Sequence, residues 1–216
     1  MSPSFVTQEE VRRREGGEEE EEEERGWRAL AGAGGLAVQV AQCPEDGLSF
    51  QVWPSALQLA RYAEHSACAQ AGCWAGRRVL ELGCGCGLVG LVFAALGARV
   101  LLTDLPEPQA LIRQNIAINA AAIAGAGGAA EAAVLAWGVT DPASLPGAWA
   151  TLDLVIAADV VYHRDLFGPL LATLAAFGAA GVPILLAHVR RWKSDRHFFA
   201  RARRIFDVID VTSALY

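Results

Sequence analysis

The chain predicts an α/β fold built on a central, mostly parallel sheet with helices on both faces. Three observations predict it. From Arg77 onward, short apolar strands alternate with segments of helix length, the pattern of consecutive strand–helix units. The first of these strands runs into a glycine-rich turn, Gly83-Cys84-Gly85-Cys86-Gly87, that opens a helix. The stretch 152–158 is a largely apolar strand, as expected when both faces are covered.

The elements follow in order. Residues 1–30 read as an acidic, disordered tail and 31–216 as one domain, long enough to bury a sizeable core. Residues 1–25 hold ten Glu against four Arg, and Glu18 to Glu24 is an unbroken run whose mutual repulsion favours a solvated segment. The net charge of -6 therefore sits in the tail, and the remaining 14 acids and 14 bases cancel. A neutral domain is a poor non-specific nucleic-acid binder. Leu36 to Gln42 alternates as a strand, and Trp53-Pro54-Ser55 opens a helix with proline where no amide donor is needed. Strands are then expected at 78–82, 99–103, 132–137, 152–158, 183–188 and 206–211, with helices at 88–96, 109–122, 167–177 and 195–205. The apolar run 88–102 is too short for a membrane span and carries Gly97 and Arg99. Without an apolar leader, and with glutamates from Glu9, the reading is a soluble intracellular protein, cytoplasmic or nuclear. Five cysteines, an odd number, are expected to be free thiols, and no histidine gives them zinc spacing, so no metal is expected.

The loop VLELGCGCGLVG (79–90) admits three chemistries. From Gly85 it fits the G-x-G-x-x-G of dinucleotide sites, and from Glu81 the E-x-G-x-G-x-G that holds S-adenosylmethionine. Cys84-x-Cys86 is half a metal site. Asp104, nineteen residues after Gly85, suits the ribose hydroxyls of either nucleoside ligand, or is a polar strand end. Glu81 discriminates, because a pyrophosphate beside it would meet a like charge, whereas the ammonium and sulfonium of S-adenosylmethionine would be attracted. The bland alternative bonds Glu81 to backbone or pairs it with Arg77 or Arg78. Asp159 and Tyr162 follow the fourth strand and would face the loop; a carboxylate and a phenol ring there suit a lysine ammonium, unless Asp159 merely caps the turn. The cluster Arg190-Arg191-x-Lys193 with Arg196, Arg201, Arg203 and Arg204 reads first as a solvated helix face, second as a contact for an acidic substrate or the tail.

VWPSA (52–56), VLELGCGCGLVGLVFAALGARVLLTD (79–104), Asn115-Ile-Ala-Ile-Asn119, Leu135-Ala-Trp137-Gly138 and LDLVIAADVVY (152–162) stand in an order that resembles the family-16, lysine methyltransferase-like group of the seven-β-strand class. The resemblance runs from about Leu36 to Val211. It implies a Rossmann-like fold and S-adenosylmethionine contacts at Trp53, Gly83, Cys84, Gly85, Asp104, Trp137 and Ala158, with Glu81 beside them. It implies that Asp159 and Tyr162 form the D-x-x-Y motif of the acceptor side. The expected activity is methyl transfer to a protein lysine, on substrates of the chaperone or translation-factor type. Cys86 stands where the family usually has Thr, a weaker donor. The family ends in an antiparallel strand between the fifth and sixth; only Thr212 to Tyr216 follow the sixth here, so that strand is expected to be missing and sheet edges unpaired. That gap keeps open a second reading, a non-catalytic binding module derived from the fold. An NAD-dependent oxidoreductase is the third, weakened by Glu81.

Overall fold

The computed structural model describes residues 4–8, 27–31, 37–66, 72–141, 144–145, 149 and 151–210, with side chains from residue 37 onward. Its strands are β1 (Ser4–Gln8), β2 (Trp27–Ala31), β3 (Ala37–Ala41), β4 (Arg78–Leu82), β5 (Arg99–Asp104), β6 (Ala129–Val134), β7 (Leu154–Ala158), β8 (Ile184–Ala187) and β9 (Asp207–Asp210). Its α-helices are α1 (Pro54–His65), α2 (Leu88–Ala95), α3 (Gln109–Gly125), α4 (Phe167–Ala179) and α5 (Asp195–Ala202).

Five parallel strands in the order β6-β5-β4-β7-β8 make the centre of the sheet. The alternation of side chains along each strand divides the core into two layers. Val79, Val100, Leu102 and Ile156 face α1, α2 and α3. Leu80, Leu82, Leu101, Val155 and Ala157 face the other way, with Phe167, Leu170, Leu174 and Phe198 of α4 and α5. Every residue of α2 is buried, because α1 and α3 close over the side that the sheet leaves open.

The chain leaves β4 toward β5 on one side and returns to β7 on the other, so the winding reverses at the carboxyl end of β4. In open parallel sheets this is where a crevice forms. The first and fourth predicted strands, β4 and β7, do flank it.

β3 explains the Asn115–Asn119 pair. It joins only β2 in a separate two-stranded sheet. Its other edge is covered by α3: the Gln39 N–H donates to Asn119 Oδ1 at 2.9 Å and Asn119 Nδ2 returns a bond to Gln39 O at 2.7 Å. Asn115 does the same for Ala41, at 2.8 and 3.1 Å. Two amides four residues apart lie on one helix face, and each offers a donor and an acceptor to a strand edge that would otherwise be unpaired.

Four expectations need correction. β6 begins at Ala129, three residues before its predicted start, and ends at Val134, so Trp137 lies in the following loop. The Ala-rich sequence has no alternation to fix its ends; packing does. A Cβ on Gly128 would lie 2.0 Å from the carbonyl oxygen of Ala94, so only glycine lets the chain cross α2 there and enter the sheet at once. Second, β1 and all but the last residue of β2 fall within the stretch 1–30 read as a tail, while the acidic run Glu18 to Glu24 lies outside the described residues. Third, the position between β8 and β9 is filled: β1 pairs in parallel with both, Phe5 opposite Ile184 on one side and Val208 on the other. The chain's own N-terminal segment thus stands where the family resemblance calls for an antiparallel C-terminal strand, giving a seven-stranded sheet. Fourth, Cys43, Cys84 and Cys86 are free thiols, but Cys73 is disulfide-bonded.

Candidate active site

A cavity of about 550 Å³ opens beyond the carboxyl ends of β4, β5 and β7. All ten residues singled out from the sequence line it: Trp53, Glu81, Gly83, Cys84, Gly85, Asp104, Trp137, Ala158, Asp159 and Tyr162.

Its floor is the loop after β4. Gly83 (φ +62°) and Gly85 (φ +54°) both hold left-handed backbone, and each has something directly over it. A Cβ on Gly83 would come within 2.7 Å of the Trp137 ring, and one on Gly85 within 3.2 Å of the Ser49 carbonyl oxygen. At Gly83 a side chain is opposed by both conformation and space, and at Gly85 by conformation with little room to spare. The loop is anchored by Cys84 N–H to Thr103 O at 3.0 Å and Asn115 Nδ2 to Cys86 O at 2.9 Å. Burial pushes the Cys84 thiol up and that of Cys86 up to about 12, which keeps both protonated. Among the described residues no cluster of three or more His, Cys, Asp and Glu is arranged to hold a metal ion.

Two acids define the inner half. Asp104 is buried, accepts the Gly85 amide at 2.7 Å on Oδ2 and the Leu105 amide at 2.8 Å on Oδ1. Glu81 is buried with Oε2 accepting the Gly90 amide of α2 at 2.8 Å. Burial raises the pKa of Asp104 and pushes Glu81 up to about 8. Of the alternatives weighed for Glu81, the backbone bond is the one present; Arg77 instead pairs with Asp153 at 2.9 Å. Glu81 at the same time lines the cavity. Neither acid makes an ion pair among the described residues.

The outer half is differently arranged. Asp159 has φ +56°, the only non-glycine left-handed residue among those described. Its Oδ2 accepts the Ser55 amide at 3.0 Å, capping the first turn of α1 from across the cleft. Its Oδ1 lies 3.0 Å from Arg191 Nη1. The Arg191 guanidinium in turn lies over the Trp53 ring, 5.0 Å from its centroid, while Trp53 Nε1 donates to Leu48 O at 2.9 Å. Tyr162 stands at the mouth, 42% exposed, its phenol pKa raised by burial of the rest of the ring. Asp159 therefore caps α1 through Oδ2, while Oδ1 lies within ion-pair distance of Arg191 but accepts no hydrogen bond among the described residues, and Tyr162 is the more accessible member of the motif.

Sequence reasoning missed Arg191, which it placed on a solvated helix face. It also missed Ser55, Trp192 and the short 3₁₀ turn Leu48–Phe50, whose Ser49 roofs Gly85. A left-handed Asp after a strand carries no local signal, and neither does its pairing with an arginine 32 residues on.

A sequence model of the family described as lysine methyltransferases matches residues 35–205. The chain is 36% identical over 156 residues to a mouse protein named EEF1A lysine methyltransferase 3, covering 72% of this chain but 62% of that one. It is 35% identical over 165 residues to mouse protein N-lysine methyltransferase METTL21A, covering 76% and 72%. The chain thus spans less than two thirds of the first relative's length. Among solved structures, a T. thermophilus 16S rRNA methyltransferase in complex with AdoMet and guanosine superposes with a TM-score of 0.52 at 22% identity, covering 74% of this chain and 41% of that one. A SAM-dependent methyltransferase from Agrobacterium tumefaciens gives 0.53 at 16%, covering 88% and 62%. At such identities the likeness establishes the fold alone.

Proposed function

Since the chain belongs to the lysine methyltransferase family, we propose that it moves a methyl group from S-adenosylmethionine to the amine of a lysine in a protein. The observation that carries this reading is the inner half of the cavity: two buried acids, Glu81 and Asp104, with no cation of the protein paired to either among the described residues. A ligand with an ammonium group and a sulfonium supplies the missing charge, whereas a pyrophosphate adds to the imbalance. Each Asp104 oxygen accepts one main-chain amide and retains a lone pair for a ribose hydroxyl. The left-handed backbone and close neighbours at Gly83 and Gly85 favour glycine at both positions of the cradle. The residues present fit that donor.

When bound, the donor supplies a methyl group on sulfur that is open to attack by an amine lone pair. This chain's residues do the rest by holding and orienting. Glu81 holds the amino-acid end and Asp104 the nucleoside end, and Trp137 over Gly83 and Trp53 over the mouth exclude water. Tyr162 meets the incoming lysine with a neutral phenol and an aromatic face. Asp159, held by the Ser55 amide and paired with Arg191, positions the wall, and the amine gives its proton to water. A translation factor is the substrate class to try first, because one relative is named for EEF1A. The binding-module reading rested on a vacant sheet position, and β1 now stands there.

A thermal melt with S-adenosylhomocysteine or NADH tests the ligand. At about a hundredfold over its dissociation constant a ligand adds about 2.7 kcal/mol, several degrees in a domain of this size. Stabilisation by S-adenosylhomocysteine alone is the expected result, and stabilisation by NADH alone overturns the reading. Radiolabelled methyl transfer to a purified elongation factor, followed by detection of methyl-lysine, tests the reaction. Binding without transfer to any protein lysine returns the chain to the binding-module class.

A further inference from the structure

We propose that Arg191 is a positioning residue of this site, holding Asp159 and Trp53 in the places from which they shape the cavity. Its conformation is determined from both ends. Its guanidinium lies 3.0 Å from Asp159 Oδ1 and 5.0 Å from the Trp53 centroid. Its own main-chain N–H donates to Asp195 Oδ2 at 3.1 Å, and the neighbouring Trp192 N–H donates to the same oxygen at 3.0 Å. Asp195 is itself fully buried and lies 3.3 Å from His188 Nε2. A surface arginine with a fortuitous partner has no reason to be tethered in this way. This one joins three separate segments at the cavity mouth: the turn before α1, the end of β7 and the stretch after β8.

The physical need is charge. Asp159 is 7% exposed and, among the described residues, receives only one amide bond, from Ser55. Left alone, its carboxylate would be an unpaired buried charge, which is far costlier than removing the pair outright. Arg191 neutralises it and, through its planar face, presses Trp53 against the same wall. With Asp159 in place, the Ser55 amide is held, and so is the start of α1 that roofs the cavity. The functional consequence rests on the methyl-transfer reading; the geometry does not.

The test compares R191M, which keeps the apolar stem without the charge, with D159N and the double variant, and reads two quantities. One is the affinity for S-adenosylhomocysteine by calorimetry. The other is amide hydrogen exchange at Ser55 in the ligand-free protein, which does not depend on any catalysed reaction. R191M is expected to weaken binding about tenfold and to speed Ser55 exchange by a similar factor. Adding D159N to R191M is expected to recover most of both, because the orphaned charge is then gone. Losses in R191M that D159N leaves untouched overturn the proposal, since Arg191 would then act through packing alone. Unchanged binding and exchange in R191M overturn it too, as does tighter capture of a lysine peptide by R191M, which would make the arginine a plug in the acceptor site. If the parent protein transfers no methyl group while these binding and exchange effects appear, the proposed function fails and the positioning role stands.

Discussion

The two halves of the cavity solve the same problem in opposite ways. Each buries carboxyl groups at the end of a parallel strand. In the outer half Asp159 has its cation already, Arg191, at 3.0 Å. In the inner half Glu81 and Asp104 have, among the described residues, only main-chain amides, and burial raises the pKa of both. A site that brings its own counter-charge is complete without a ligand. One that withholds it stores an imbalance that a cationic ligand can relieve. The difference separates a wall that is built to stay from a pocket that is built to be filled.

The strongest way to break this comparison is to remove the ionisable group of Glu81. The folded protein holds the Glu81 proton up to about pH 8, while the ordinary value for the group is 4.5. The folded state therefore binds more protons than the unfolded chain across that window, and stability falls as pH rises through it. Glu81→Gln keeps an acceptor for the Gly90 amide and carries no such slope. Relative to the parent it should gain stability from pH 5 to pH 8, by an amount on the order of 4 kcal/mol, read from urea unfolding at the two pH values. S-adenosylhomocysteine carries an ammonium, so its binding at pH 7 should also release a proton in the parent and none in E81Q. Parallel stability curves would mean that Glu81 is not the strained member of the pair.

Asp104→Ala comes next. It removes the acceptor for both Gly85 and Leu105 amides and empties one side of the ligand cradle. Affinity for S-adenosylhomocysteine should fall about a hundredfold, near 2.7 kcal/mol, with a cooperative melt retained. Undiminished binding would place the ligand elsewhere in the cavity.

What the sequence made legible follows from how local each signal is. β4 was read with both its ends, because a five-residue apolar strand ran straight into a glycine turn. β5 and α2 were found within a residue for the same reason. β6 slipped by three residues because alanines specify no face, and its start is set by α2 crossing Gly128. β1 could not be anticipated: its partners lie some 180 to 200 residues away, and nothing in Ser4–Gln8 names them. The ten site residues all reached one cavity, since each sits at a strand end or in a loop beside one. Their pairing was another matter. Asp159 and Arg191 lie on different strand ends, and only the order of β7 beside β8 brings them together.

Tyr162→Phe tests the mouth and should act on turnover with little effect on the donor. Tyr162 is partly exposed and, among the described residues, holds no main-chain group in place. Removing one hydroxyl from the lysine's path is expected to lower kcat about tenfold, with S-adenosylhomocysteine affinity within about twofold of the parent. A matching loss of affinity would move Tyr162 into the inner half.

The smallest effect is the most informative about the contrast. Asp159→Asn keeps a carbonyl oxygen for the Ser55 amide and discards a charge that Arg191 already balances. Arg191 is left without its partner, but its side chain is 28% exposed and still lies over Trp53, so water can take up part of the loss. Affinity for S-adenosylhomocysteine should therefore fall no more than about threefold, against the hundredfold of D104A. The two substitutions remove the same carboxylate charge from the same cavity, at similar burial. Part of their unequal cost comes from the two main-chain acceptors that D104A also removes, and the remainder would follow from one acid being paired within the protein and the other not. Equal losses would mean that the two halves act as a single ligand-binding surface, and the distinction between wall and pocket would have to go.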